Sequence, residues 1–396
     1  MRWTCLLLLS AASCGGGGDG PDADVGACRG ILPQEWPDEA TAEYCTVDWT
    51  TASPELALTE CGDIFERCST TGPAPDFSCI DNPPGEPPAT PATVTLTGWA
   101  DVFSSGPSSD NARVQVFRLA DLAAVTDITT AVPMATADLQ LDAASLVDAR
   151  ACPKERDFMQ GQCVVPTDDC GGLCDKDLAA GQFCYQTTCI DLQRWEIPFA
   201  IAGLPTNEQL VIRTVGLDGS GNPQVLGNTW SPLIQYNVDL ATDAPACADA
   251  DDRECIDTVA DPPRYRADVN LLSGQDYMTI PTSAGLSAGI SPGNGALAGE
   301  VHDCNGIRVQ HAQVGFGVGR SPRVLVYFNG NPVRTLPRLQ QITEGTDPLA
   351  LYAGLDMTPG EVATNVIGVS GGTLREIGQF TSRIWPDSVT LVRLGD

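Results

Sequence analysis

Cysteine spacing constrains this chain more than any other feature of its sequence. Sixteen cysteines occur in 396 residues, and they fall into groups: Cys5 and Cys14 near the start; Cys28, Cys45, Cys61, Cys68 and Cys79; Cys152, Cys163, Cys170, Cys174, Cys184 and Cys189; Cys247 and Cys255; and Cys304. Such clustering implies a disulfide framework in an oxidising compartment or, failing that, metal sites. Cys170 and Cys174 with Cys184 and Cys189 have spacings that zinc tolerates. The compartment decides between the two, and the first residues bear on it.

Arg2 supplies a positive end, Leu6 to Leu9 a short apolar core, and Ala11, Ala12 and Ser13 the small residues a signal peptidase needs. The apolar run is too short to cross a bilayer, so residues 1–13 read as an export signal. Small residues immediately before Cys14 resemble the lipobox of bacterial lipoproteins, with Ala11 standing where Leu is the usual choice. The resemblance implies that Cys14 carries lipid as the first mature residue and that the membrane is a partner through that lipid. Gly15 rather than Asp follows, which in the same resemblance implies the outer membrane, facing periplasm or exterior. The alternative is an ordinary secretory signal with Cys14 in a disulfide. Residues 14–27, rich in Gly and Asp, have almost nothing apolar to bury and are expected to form a flexible tether.

Removing Cys5 with the signal and assigning Cys14 to lipid leaves fourteen of the sixteen cysteines. The groups of six and of two can close among themselves. The group of five cannot, so parity predicts that Cys304 pairs with one of the N-terminal five. In an exported chain disulfides are favoured over zinc at all fourteen positions.

Acidic residues outnumber basic ones, 51 to 22, for a net charge of −29. A polyanion of this kind repels nucleic acid and anionic lipid heads, so no nucleic-acid partner is expected. Charged residues are only 18% of the chain and apolar ones 42%, a globular rather than a disordered composition.

Residues 28–82 read as a cysteine-braced segment with one helix around Leu56 to Cys68, and residues 83–92, with five prolines, as a stiff linker. From residue 93 onward short alternating stretches dominate, as at Val94 and Leu96, at Val114 and Val116, and at Ile197, Phe199 and Ile201. Pro198 marks its strand as an edge, and Asp218 to Asn222 reads as a turn. Long amphipathic helices are absent from the pattern, so the expected class is mainly β, built of β-sandwiches. A first sandwich is expected over 93–259, with a cysteine-rich insertion at 147–192 that loosely resembles extracellular EGF or Dickkopf repeats. A connector over 260–294 follows, with a short helix near Tyr277, and then a second sandwich over 295–396.

The pattern Gly299-x-Val301-x-Asp303-x-x-Gly306-x-x-Val309-x-x-Ala312-x-Val314 resembles the opening of the carboxypeptidase regulatory-like domain, a transthyretin-like β-sandwich. Tyr352, Gly354, Leu355, Pro359 and Gly360 are similar to that family's later strand and tight turn, and Val362 begins the return strand. Gly98, Ala112, Val114 and Val116, with Phe199, Ile201, Gly203, Leu204 and Pro205, repeat the elements in weaker form. The resemblance implies two transthyretin-like sandwiches acting as non-catalytic display modules, and no carboxypeptidase catalytic domain accompanies them.

Candidate chemistry is sparse. His302 and His311 are the two histidines. His302 lies beside Asp303, but adjacent strand residues point to opposite faces, which aims the pair poorly for a Ser-His-Asp arrangement. The two histidines on neighbouring strands are also a conceivable metal pair. Asp249, Asp251, Asp252, Glu254 and Asp257 offer oxygen ligands for calcium without an EF-hand pattern; the competing reading is a solvated loop closed by Cys247 and Cys255. No phosphate loop and no basic patch with interleaved aromatics is present. The expectation is therefore no catalytic, cofactor or metal residues, and a non-enzymatic, lipid-anchored surface or envelope protein serving adhesion, scaffolding or envelope structure. The alternative is a glycan- or peptide-binding module, whose signature would be an exposed aromatic platform from residues such as Trp195, Trp230, Tyr327 or Trp385. A hydrolase using two distant carboxylates ranks below both.

Overall fold

Strands from both halves of the chain enter one nine-stranded sheet. In the computed structural model the described residues are 76–81 and 93–394, apart from 105, 155–162, 168–169, 172–173, 175–180, 225–228, 243, 249–253, 305, 307, 310–311, 318–319, 330–334, 339–344, 348 and 371–372. The signal, Cys14, the tether, Cys28, Cys45, Cys61, Cys68, the helix expected at Leu56 to Cys68, the Pro-rich linker, Asp249, Asp251, Asp252 and His311 lie outside them. Across the sheet the strand order is Pro337–Arg338, Val324–Phe328, Leu351–Met357, Gly295–Val301, Val389–Leu394, Leu233–Asp239, Gln209–Gly216, Ala112–Arg118 and Ala135–Leu139. The fold is mainly β, as the alternation predicts.

The join between the halves is Leu233–Asp239 lying parallel to Val389–Leu394. The two expected sandwiches thus share a sheet. Parallel strands need a long crossover, and the crossover here is the whole C-terminal half, so no local pattern announces the pairing.

Side chains alternate between the sheet's two faces, and each face is apolar. On one face Phe117, Val211, Tyr236, Leu297, Tyr327, Tyr352 and Val392 pack with Val314, Val362, Val366 and Ile384. Those last four come from a three-stranded sheet, Gln313–Phe316, Gly360–Ser370 and Thr373–Ile384. On the opposite face Val114, Val116, Leu210, Ile212 and Val238 meet Val94, Leu96, Ile201, Leu204 and Val269. This partner sheet centres on Thr93–Val102, which pairs with Pro198–Pro205, Arg264–Arg266 and Val269–Ser273. Farther along the same face Ala296, Val326, Phe328, Ala353 and Leu355 are covered by Ile280, Ala284 and Leu286. Ile280 belongs to the helix Gly274–Ser283, whose Ser273 cap accepts from Asp276 N. A sheet apolar on both faces must be covered on both, which is why the connector supplies two strands and a helix. Burying each such Val, Leu or Phe contributes about 1.5–3 kcal/mol.

Pro198 sits at the start of a strand that, among the described residues, pairs only with Thr93–Val102, so its missing N–H costs no ladder bond. Gly299 has a different reason. A Cβ there would lie 1.8 Å from Val392 O and 2.7 Å from the Tyr352 hydroxyl. Tyr352 crosses the glycine to donate to Val392 O at 3.2 Å.

The cysteine-rich insertion is a small sheet of Arg150–Pro153, Gln182–Tyr185 and Thr188–Glu196 around Leu146, Ala149, Ala151, Phe183, Ile190 and Trp195. Its hairpin turns at Gln186 and Thr187, both with positive φ, the geometry that matches strand twist in two-residue loops. So small a core is braced by Cys152–Cys163, Cys170–Cys184 and Cys174–Cys189. Cys247 pairs with Cys255, and Cys304 with Cys79.

Candidate functional site

Two charged clusters and one long-range disulfide stand out. The first cluster lies where the insertion meets the first sheet. Arg194 and Glu196 are two apart on one strand and share a face, Arg150 is directly across from Glu196, and Trp99 and Asp101 share a face of Thr93–Val102. Arg150 Nη2 bridges Glu196 at 2.8 Å and Asp268 at 2.9 Å, while its guanidinium lies 4.6 Å over the Trp99 ring. Arg194 donates to Ser104 O at 2.7 Å and Val102 O at 2.8 Å, and pairs with Glu196 at 3.2 Å. Asp268 in turn accepts from Trp99 N.

Three carboxylates, Asp101, Glu196 and Asp268, thus face two guanidinium groups. Removal from water and the neighbouring Glu196 charge push Asp101 up to about 7, against the opposing pull of Arg150. Below about pH 7 a proton on Asp101 offsets the surplus negative charge of the cluster. The Glu196 side chain has no exposed surface, so Glu196 does not meet a substrate as a member of a glycosidase pair must. What the arrangement does chemically is hold the insertion to the sheet. Ser108 and Ser109 assist by accepting from Trp195 N and Ile197 N.

The second cluster is built on His302. Its carboxylate partner is Glu300, two residues back on the same face, with Nε2 2.6 Å from Oε2, not the adjacent Asp303. His302 Nδ1 lies 2.9 Å from Gly306 O. With both ring nitrogens engaged, neither is available to a nucleophile as a general base. Arg308 also bridges Glu300, at 3.1 Å. Burial pushes the Glu300 carboxyl up, but the Arg308 charge and the His302 contact outweigh it and hold the group at about 2.

Asp303 turns the other way, is fully buried, and accepts from Asp76 N at 2.8 Å. Cys304 N donates to Asp76 O at 2.7 Å beside the Cys79–Cys304 disulfide, which spans 225 residues of sequence. Phe77 packs into the core next to them.

Other expected positions fall elsewhere. Sulfur atoms of Cys170, Cys174 and Cys184 lie within 4.8 Å of one another, yet each belongs to a disulfide, and zinc binds thiolates. Glu254 pairs with Arg393, and Asp257 with Arg266, so these two acids are committed to protein cations. Trp195, Trp230, Tyr327 and Trp385 are each no more than 2% exposed, so they form core and not a ligand platform. The Trp230 and Trp385 indoles donate to Asp110 O and the Tyr236 hydroxyl, and the Tyr327 hydroxyl accepts from Val314 N.

Sequence reasoning missed the Asp101, Arg150, Arg194, Glu196 and Asp268 cluster, whose members come from four separate stretches. Glu300 carried a usable signal, since residues two apart on a strand share a face.

No protein-family model and no curated protein matches the sequence. Among solved structures, a mutant of the shaft pilin spaA from Lactobacillus rhamnosus GG is similar over 77% of this chain and 97% of the pilin, at 10% identity and a TM-score of 0.16. A score that low carries no argument about fold or function.

Proposed function

We propose that this is an exported protein, held at the outer membrane by a lipid on Cys14, that displays its β-sheets as a non-enzymatic surface or envelope scaffold. The observation that carries the reading is the set of five disulfides among the described residues. Disulfides form and persist in oxidising compartments, which agrees with an export signal at 1–13 and a lipobox-like Cys14. The resemblance of Gly299 to Val314 to transthyretin-like display modules points the same way. So does the use of charge: both clusters are spent on bracing the fold, and His302 has no free nitrogen. A β body apolar on both sheet faces and cross-linked by a long-range disulfide suits a rigid display role in adhesion or envelope structure.

The test is metabolic lipid labelling of the full chain, wild type and Cys14→Ser, with membrane fractionation. Wild type is expected to take up label and sediment with membranes, and Cys14→Ser to lose both. Equal membrane partitioning of the two proteins would overturn the anchor.

A further inference from the structure

The position of the Cys79–Cys304 disulfide has a mechanical consequence. Cys304 lies three residues past the end of the strand Gly295–Val301, a central strand of the nine-stranded sheet. Its neighbour Val389–Leu394 runs parallel to it, with Val301 opposite Leu394, and His302 N donates to Leu394 O at 2.7 Å. Both the covalent attachment of the N-terminal segment and the end of the last described strand therefore sit at one end of the same sheet. Everything between Cys79 and Cys304, including the first sandwich and the insertion, lies inside one closed covalent loop.

We propose that Cys79–Cys304 is a force-bypass strap: tension entering through the N-terminal segment passes through the disulfide to the central sheet, and the 225-residue loop between the cysteines is never stretched. The route along the chain, through residues 80–303, is in parallel with a covalent link whose Cα atoms are 5.8 Å apart, so it carries no load while that link is closed. Load reaches instead the pairings of Val389–Leu394, at six positions with Ala296–Val301 and at four with Leu233–Tyr236 on its other side. It meets them at the Leu394 end, opposite Val301, so the pairs open one after another. The main-chain bonds of Asp76 to Asp303 and Cys304, with Phe77 in the core, seat the strap before tension arrives. This property depends on the disulfide and not on Cys14, so it stands whether or not the chain is lipidated.

Single-molecule pulling of the full mature chain between N- and C-terminal handles tests it. In the oxidised protein the part of the described fold beyond Cys304 can extend, about 300 Å at ~3.5 Å per residue. The Cys79→Ser/Cys304→Ser variant is expected to extend by up to ~800 Å more at the same scale, less the short loops that the other disulfides still close. Adding reductant to wild type held under load is expected to produce a discrete step of that length, followed by shorter steps as the nested disulfides open. An oxidised wild type as long as the variant would overturn the proposal. So would a first unfolding event that releases any of residues 80–303 before reduction. Contour length reports the covalent path even if the variant folds poorly, so the comparison stands in that case too.

Discussion

Replacing Gly299 with Ala tests how closely the central strands approach. The new Cβ would lie 1.8 Å from Val392 O, 2.7 Å from the Tyr352 hydroxyl and 2.9 Å from the ring carbon bearing it. Tyr352 has to move, and its 3.2 Å bond to Val392 O breaks inside a core where Tyr352 is fully buried. Losing that bond while the hydroxyl stays buried costs about 1–3 kcal/mol, and forcing a methyl into a filled site adds about 1–3 kcal/mol. The sum, roughly 2–6 kcal/mol, is a large share of the stability of an ordinary domain. Equilibrium denaturant unfolding measures it, with Gly219→Ala as control because a Cβ at Gly219 meets nothing within 4 Å. The control is expected within about 0.5 kcal/mol of wild type. Tyr352→Phe added to Gly299→Ala is expected to cost less than the two changes summed, since it removes the orphaned hydroxyl. If Gly299→Ala is as stable as the control, the close approach of these strands is wrong.

Two pH-dependent effects follow from the charged clusters. Asp101 has a folded pKa raised from 3.8 to about 7, so its contribution to stability is full below about 4 and is lost as pH rises through about 7. The unscreened limit is ~4 kcal/mol, reduced by the partial solvent exposure of Asp101. Asp101→Asn is expected to match wild type near pH 4 and to exceed it at pH 8 in denaturant midpoint; equal pH slopes for the two proteins would refute the assignment. Glu300 has the opposite sign, with a folded value near 2 against an ordinary 4.5. Its contribution is present above about 4.5 and lost as pH falls toward 2, worth roughly 1–3 kcal/mol once the 30% exposure of its side chain is allowed for. Glu300→Gln is expected to be less stable than wild type at pH 7 and to flatten the acid limb, which unfolding curves between pH 2 and 7 would reveal.

Much of the local structure was legible in the residues alone. Alternation at Val94 and Leu96 or at Val114 and Val116 identifies strands because a pleated strand puts every second side chain on one face. Pro198 marks an edge because it lacks a donor, and Cys304 needs a distant partner because five cysteines cannot pair among themselves. Each of these inferences uses only neighbours in sequence or a count.

The tertiary structure decided what depends on partners far apart. It places Val389–Leu394 beside Leu233–Asp239 and so merges two expected sandwiches into a layered body. It selects Cys79 for Cys304, gives His302 to Glu300 and Asp303 to Asp76, and gathers Asp101, Arg150, Arg194, Glu196 and Asp268 from four stretches. It also buries Trp195, Trp230, Tyr327 and Trp385, which in sequence could equally have faced a ligand. The physical reason is that hydrophobic alternation specifies a strand and its buried face, while the edge it pairs with depends on which other strand arrives there. Charge burial adds a further layer, since the raised pKa of Asp101 is set by burial and by neighbours that only the folded chain brings within reach.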